Sequence, residues 1–328
     1  MAQSPVVSEN QRRAVVSVSR PPAPSEKAFD AAFKVIAHVF GAAVVVLLGG
    51  IVFEVMRHAG SAMSDYGLGF LATSTWDANR GEFGILAEIM GTLYTSVIAL
   101  VVGGVLGITV ALVLSQGFVP RRVELVMKNI VELLAAIPSV VYGLWGIFVL
   151  VPALRGPSNW LHEQLGFLPF FSTRLSGPGI LPAALVLAIM ILPTITAISR
   201  EAMAAVPKRL GQAAYGLGAT RWEVIFSVIL PTASGGIFGA LVLGFGRALG
   251  ETMALAMLVG NANVFGWSLF SPGITLAALL ANHFPEAGPA EVKALMYAAV
   301  VLLLITLAVN AIGSFIMLRS TRELKGLH

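Results

Sequence analysis

Residues Gln212 to Pro231 read QAAYGLGATRWEVIFSVILP and form a polar, amphipathic segment between two long hydrophobic runs. Gly216 and Gly218 suit the left-handed cap that ends a short helix. Thr220, followed three residues later by Glu223, is typical of a capping box that opens another helix. The stretch therefore predicts two short helices joined by a tight turn.

The second of these helices carries an apolar stripe. Its members, spaced three and four residues apart, are Trp222, Ile225, Phe226 and Ile229. Such spacing places them on one side of a helix, and that side needs a partner surface or the bilayer. The spacing alone is equally compatible with an ordinary loop between membrane spans and with a docking element.

The composition excludes a soluble protein. Hydrophobic residues make up 57% of the chain and charged residues 12%, with a mean hydropathy of +0.85, whereas a typical globular chain carries about 25% charged residues. The net charge of +4 does not indicate nucleic acid, because the basic residues fall into separate loops. Cysteine is absent, which excludes disulfides and thiolate chemistry in this chain.

Six stretches reach the roughly 20 apolar residues that a bilayer-crossing helix needs. They lie near 34–56, 89–114, 128–151, 179–199, 232–259 and 293–318. We therefore predict an all-α integral membrane protein with six transmembrane helices over residues 32–320. The Ser-, Pro- and charge-rich residues 1–31 predict a flexible cytoplasmic tail, and residues 321–328 a cytoplasmic C-terminus.

The distribution of Lys and Arg predicts the orientation. Fifteen of these residues fall in the tail, the even-numbered loops and the C-terminus, and five fall on the other side. The positive-inside rule places both termini and the hairpin, about residues 200–231, in the cytoplasm. The external segments 57–88, 152–178 and 260–292 are then available to form a mouth that faces a periplasmic partner.

The fifth predicted span contains GFGRALGETMALAMLVGN, Gly244 to Asn261, which places Arg247 and Glu251 one helical turn apart at membrane depth if the helix is continuous. Each intramembrane charge costs about 2.5 to 3.5 kcal/mol on insertion scales, so both should face the protein interior or a water-filled path. One interpretation is a structural ion pair that fastens helices. The other, which we favour, is a guanidinium that meets a passing oxyanion, oriented by the carboxylate.

The chain has no phosphate-binding loop of the Gly-Lys type, because none of its six Lys residues follows a Gly. Its five His residues show no metal-ligand spacing. We assign no catalytic residue, no metal site and no cofactor to this chain. Any ATP-driven motor must be a separate polypeptide that docks on the cytoplasmic hairpin.

The hairpin resembles the "EAA" signature of ABC-importer permeases. The matching residues are Gln212, Ala213, Ala214, Gly218, Leu230 and Pro231. Two residues depart from that signature, since Gln212 replaces the usual Glu and Val228 the usual Ile. The amide of Gln212 retains hydrogen bonding but lacks the charge.

Residues 32–320 are similar to PstC-type permeases of bacterial phosphate ABC importers. The similarity rests on IMGTLYTSVIAL, LLAAIPSVVYGLWG, GLGATRWEVIFSVILP and RALGETMALAMLVGN, which begin at Ile89, Leu133, Gly216 and Arg247. It implies a type I (MetI-like) importer permease fold in the bacterial inner membrane. It also implies transport and not enzymatic activity.

The resemblance further implies a set of partners. These are a PstA-like permease, two PstB-like ATPases that hold ATP and Mg²⁺, and a periplasmic phosphate-binding protein. The residues expected to couple to the ATPase are Gln212, Ala213, Ala214, Gly218, Arg221 and Trp222. Arg247 and Glu251 are expected to line the phosphate path.

Three alternatives remain at this stage. A permease for another oxyanion, such as molybdate or sulfate, shares the hairpin. An ion-coupled secondary transporter also carries intramembrane charge, but it does not need a capped cytoplasmic hairpin. A regulatory membrane scaffold that senses transport is a third reading, as an added role.

Overall fold

The computed structural model describes the backbone of residues 23–325 and the side chains up to residue 317. The helices, in chain order, are α1 (Pro24–Tyr66), α2 (Gly69–Ala72), α3 (Leu86–Ser115), α4 (Arg121–Ala136), α5 (Ser139–Trp145), α6 (Val151–Leu165), α7 (Ile180–Ala204), α8 (Lys208–Gly216), α9 (Arg221–Val224), α10 (Leu230–Leu249), α11 (Met253–Leu258), α12 (Leu276–His283) and α13 (Pro289–Lys325). The described part also contains π-helical turns at Gly146–Leu150 and Ile225–Ile229 and 3-10 turns at Pro169–Phe171 and Phe284–Glu286. Strands β1 (Trp76–Asp77) and β2 (Glu82–Phe83) pair antiparallel.

Six helical stretches of the described chain are long and apolar enough to cross a membrane, which confirms the predicted number of spans. They are Pro24–Tyr66, Leu86–Ser115, Ser139–Leu165, Ile180–Ala204, Arg221–Leu249 and Pro289–Met317. Contacts divide the described residues into a unit that ends at residue 54 and a second unit, here called the body, that begins at residue 55.

The ends of the chain differ from the predicted boundaries. Helix α1 begins at Pro24, so residues 24–31, expected to belong to the tail, are helical. Between residues 24 and 54 the side chains of α1 are exposed. The rest of the predicted tail, residues 1–22, and the last three residues, 326–328, lie outside the described residues.

The predicted third span, residues 128–151, is wrong. Ile137 and Pro138 adopt extended backbone, with ψ of 127° and 143°, and they separate α4 from α5. Proline disfavours helical backbone in the residue before it, so the helix stops here instead of kinking. Helix α4 buries none of its residues, and the third span runs over Ser139–Leu165.

The predicted fifth span, residues 232–259, is also displaced. It begins at Arg221, because the helix continues through Pro231 after a π-helical turn. The wider turn accommodates a proline that lacks an N–H and crowds the preceding turn. At the other end α10 stops at Leu249, and residues 250–252 separate it from α11.

Helices α3 and α7 pack closely at the centre of the body, where their apolar side chains share one core cluster. Gly103 permits this approach. A Cβ atom at Gly103 would lie 2.8 Å from the carbonyl oxygen of Ala188 and 2.9 Å from Cγ1 of Ile191. Small residues allow such contact between membrane helices, where packing replaces the hydrophobic effect as the driving force.

Replacing Gly103 with Val should destabilise the body, because the opposing carbonyl belongs to the backbone and cannot rotate away. We expect the apparent melting temperature in detergent to fall by about 3–10 °C, from a packing cost of roughly 1–3 kcal/mol. Gly60→Val is the matched control, since no heavy atom lies within 4 Å of its added Cβ. Equal melting temperatures for the two variants would contradict the close contact.

Candidate functional site

The hairpin is formed by α8, a turn and α9. Gly218 has φ of +87°, the left-handed conformation expected of a cap, and the N–H of Ala219 donates to the carbonyl oxygen of Ala214 at 3.1 Å. The N–H of Thr220 donates to Oε2 of Glu223 at 2.7 Å, while the N–H of Glu223 donates to Oγ1 of Thr220 at 3.4 Å. The predicted pair of short helices and the capping box are both present.

The base of the hairpin is packed into the body. Val224, Ile225 and Ile229 are buried against Ala111 of α3 and Met203 of α7. These contacts attach the start of the fifth span to the C-terminal ends of the second and fourth spans.

The predicted apolar stripe is divided between two faces. Ile225 and Ile229 are buried, whereas Trp222 and Phe226 are 56% and 63% exposed. The π-helical turn at Ile225–Ile229 changes the helical register, so a spacing of three and four residues does not keep all four side chains on one face.

The tip of the hairpin presents an exposed apolar side chain that sequence reasoning missed. Leu217 is 90% exposed between the end of α8 and Gly218. An apolar residue in a tight turn was the available signal, because burial does not explain its presence there. Of the residues expected to couple to an ATPase, Ala213, Gly218 and Trp222 are also exposed.

The other expected coupling residues lie beside segments of this same chain, and two of them, Gln212 and Arg221, are exposed as well. Gln212 lines a cleft of about 310 Å³ together with Gln116 and Lys208. Ala214 is half-buried against the core cluster at the hairpin base. The guanidinium of Arg221 donates from Nη2 to the carbonyl oxygen of Gln116 at 2.6 Å.

The expected helical pair of Arg247 and Glu251 is not formed. Arg247 lies in the last turn of α10, whereas Glu251 lies in the break that follows Leu249. No ion pair or side-chain hydrogen bond joins them within the described residues. The helical spacing that predicted their contact ends two residues after Arg247, which is the physical reason for the error.

Arg247 remains available for an anion. Its side chain is exposed in the single chain, and it lies 17 residues into α10, or roughly 25 Å at 1.5 Å per residue. The C-terminal end of a helix favours a cation, since its last carbonyls carry partial negative charge. The charge is therefore supported by the helix end and not by a neighbouring carboxylate.

The helices that follow the two breaks pack against each other. A Cβ atom at Gly143 of α5 would lie 2.8 Å from Sδ of Met257 in α11. The hydroxyl of Tyr142 donates to the carbonyl oxygen of Leu134 at 2.9 Å, across the first break. Both irregular segments thus belong to the same region as the intramembrane cation.

The loop after α11 caps the fourth span. The N–H groups of Ile180 and Leu181, in the first turn of α7, donate to the carbonyl oxygens of Ser271 and Leu269 at 3.0 and 2.8 Å. The first N–H groups of a helix have no partner within it, so this loop supplies them. Trp267, in the same loop, is 55% exposed.

Comparison with known proteins identifies relatives over most of the chain. Residues 103–325 match the family described as "Binding-protein-dependent transport system inner membrane component". The chain is 39% identical over 296 residues to the "Phosphate transport system permease protein PstC" of Mesorhizobium japonicum, covering 88% of this chain and 90% of that protein. It is 38% identical over 302 residues to the protein of the same name from Haemophilus influenzae, covering 90% and 95%.

Solved structures show a similar fold at low sequence identity. A chain of a bacterial alginate ABC transporter, in complex with its alginate-bound periplasmic protein, has a TM-score of 0.59 and 15% identity, covering 88% of this chain and 94% of that one. A chain of the inward-facing MetNI methionine ABC transporter has a TM-score of 0.52 and 18% identity, covering 72% and 95%. The predicted type I, MetI-like importer permease fold is confirmed.

Proposed function

This chain belongs to the family of binding-protein-dependent transport inner membrane components, and we propose that it is the PstC-like permease subunit of a phosphate importer. As a multi-pass inner membrane permease it is not an enzyme, and the family works with a separate ATPase and a substrate-binding protein. The observation that carries the choice of phosphate is the name of its relatives, which are 38–39% identical over about nine-tenths of the chain.

The proposed substrate suits the chemistry of Arg247. A guanidinium presents several N–H donors in a plane, which matches the oxygens of a tetrahedral oxyanion. Since Arg247 has no acidic partner among the described residues, its charge is not already neutralised. Glu251, in the adjoining break, would limit how tightly an anion binds and so favour its release.

Of the alternative functions, a permease for another oxyanion, such as molybdate or sulfate, is closer to the proposal than a secondary transporter. The hairpin and the guanidinium of Arg247 would serve such a permease equally well. The names of the relatives favour phosphate. An ion-coupled secondary transporter does not fit the family.

The proposed complex contains a PstA-like permease, two PstB-like ATPases and a periplasmic phosphate-binding protein. ATP and Mg²⁺ would be held by the ATPases and not by this chain. We place ATPase docking at the exposed tip of the hairpin, where Leu217 joins Ala213, Gly218 and Trp222. A buried base and an exposed apolar tip are what a docking element needs, since it must be held by one partner while it contacts another.

Replacing Gly218 with Val should impair docking. Left-handed backbone costs a non-glycine residue about 1–2 kcal/mol, so α9 should shift. We expect less ATPase in the purified complex and weaker stimulated hydrolysis. Gly216→Val is the control, since both positions have open space for a Cβ but only Gly218 has positive φ. Normal co-purification and hydrolysis with Gly218→Val would refute docking at this turn.

Replacing Arg247 with Gln should reduce phosphate uptake severely in reconstituted vesicles, while insertion and assembly stay normal. Because no ion pair is broken, the double variant Arg247→Gln/Glu251→Gln should assemble as well as the single one. If the two residues instead formed a buried pair, the single variant would lose about 3–5 kcal/mol of stability and the double variant would recover it. Uptake near the unmodified rate in either variant would remove Arg247 from the substrate path.

We place the hairpin and both termini in the cytoplasm, on the basis of the fifteen-to-five division of Lys and Arg. The chain has no cysteine, so single introduced cysteines report unambiguously. An impermeant thiol reagent added outside intact cells should label Ala290→Cys, an exposed site at the start of α13, and not Asn129→Cys in α4. The reverse pattern would invert the orientation.

A further inference from the structure

Arg221 joins two cytoplasmic segments that are distant in sequence. It is the first residue of α9, and its Nη2 donates to the carbonyl oxygen of Gln116, 105 residues earlier, at 2.6 Å. Gln116 is the C-terminal cap of α3. The last carbonyls of a helix have no partner within it and favour a cation nearby, so the hairpin supplies the cap of the second span.

The same guanidinium lies over an aromatic ring in the loop at residues 116–120, which follows α3. Cζ of Arg221 is 3.9 Å from the ring centroid of Phe118. Phe118 in turn contacts Trp222, with centroids 5.3 Å apart, and Trp222 stacks on Phe226 at 6.0 Å. We call this group, Gln116, Phe118, Arg221, Trp222 and Phe226, the loop–hairpin cluster.

The cluster links the hairpin to two further elements. The loop that holds Gln116 and Phe118 connects the end of α3, at Ser115, with the start of α4, at Arg121. A displacement of α9 would therefore reach the second span and α4 through Arg221, in addition to the fifth span that is continuous with the hairpin. Arginine suits this position, because its edge donates a hydrogen bond while its face stacks on a ring.

We propose that Arg221 is a positioning residue that makes the hairpin, the loop at residues 116–120 and α4 move as one body during transport. This inference rests on the proposed function, in which an ATPase acts on the hairpin. It gives Arg221 a role through the contacts of its guanidinium with Gln116 and Phe118, in place of the direct ATPase contact expected from the sequence.

The test uses the complete importer in vesicles and compares Arg221→Lys, Phe118→Leu and their double variant. Lysine keeps the charge but cannot cap and stack at once, and leucine keeps apolar volume without the ring. We expect normal ATPase content and hydrolysis, but phosphate moved per ATP should fall about two- to thirtyfold, the range in which single residues modulate coupling. The double variant should be no worse than the more affected single one, because both remove the same link.

Arg122→Lys is the matched control, since Arg122 is an exposed arginine of α4 outside the cluster, and it should keep the unmodified ratio. Loss of ATPase from the Arg221→Lys complex would show a docking contact and overturn the proposal. An unchanged ratio of phosphate to ATP in that variant would also overturn the proposal, because the cluster would then be only a local packing contact.

A second measurement is independent of the substrate. Spin labels on Leu125→Cys in α4 and Gly216→Cys in α8 should give one narrow distance distribution, equal with and without ATP, that broadens when Arg221→Lys is added. A distance that changes with ATP in the unmodified cluster would overturn the proposal. If the unmodified complex imports no phosphate, the proposed substrate fails, while this distance still decides the role of Arg221.

Discussion

The backbone N–H and C=O groups of a membrane-spanning segment find no water in the bilayer core, so the groups freed where a spanning helix ends must find partners within the protein. At the break before α5, the hydroxyl of Tyr142 donates to the carbonyl oxygen of Leu134. At the break after α10, Oγ1 of Thr252 donates to the carbonyl oxygen of Gly250. The loop after α11 likewise supplies acceptors to the N–H groups in the first turn of α7. The two irregular segments, residues 137–138 and 250–252, thus adjoin the helices α5 and α11, which pack against each other close to Arg247 at the end of α10.

The second break also changes how the intramembrane charge is supported. A continuous helix would have set Arg247 and Glu251 on one face and allowed mutual neutralisation. Ending α10 at Leu249 separates them and leaves the guanidinium at a helix C-terminus, where partial negative charge is diffuse. The partial negative charge at the helix end stabilises the guanidinium without occupying its hydrogen-bond donors. Such a group can attract an anion and still release it, which a transport path requires.

One part of the hairpin is buried in the body, and another part is exposed. Val224, Ile225 and Ile229 hold its base in the body, and Leu217 projects from its tip. The π-helical turn is the device that allows this division, because it rotates Trp222 and Phe226 away from the buried residues. Trp222 then contacts Phe118, and Phe226 stacks on Trp222. Motion of the tip would thus reach the body through a buried apolar seat and through the arginine at the loop.

The sequence by itself determined the membrane class, the number of spans and the hairpin, because apolar length, Gly218 and the Thr220–Glu223 cap act over a few residues. The sequence did not predict the features that depend on contacts between residues far apart in the chain. The predicted third span ran through Pro138, whereas the tertiary structure separates α4 from α5 there and places Tyr142 on Leu134 and Gly143 on Met257. The separation of Arg247 from Glu251 and the contact of Arg221 with Gln116 arise from tertiary structure. An argument from helical periodicity assumes an unbroken helix, and it cannot predict a contact between residues 105 positions apart.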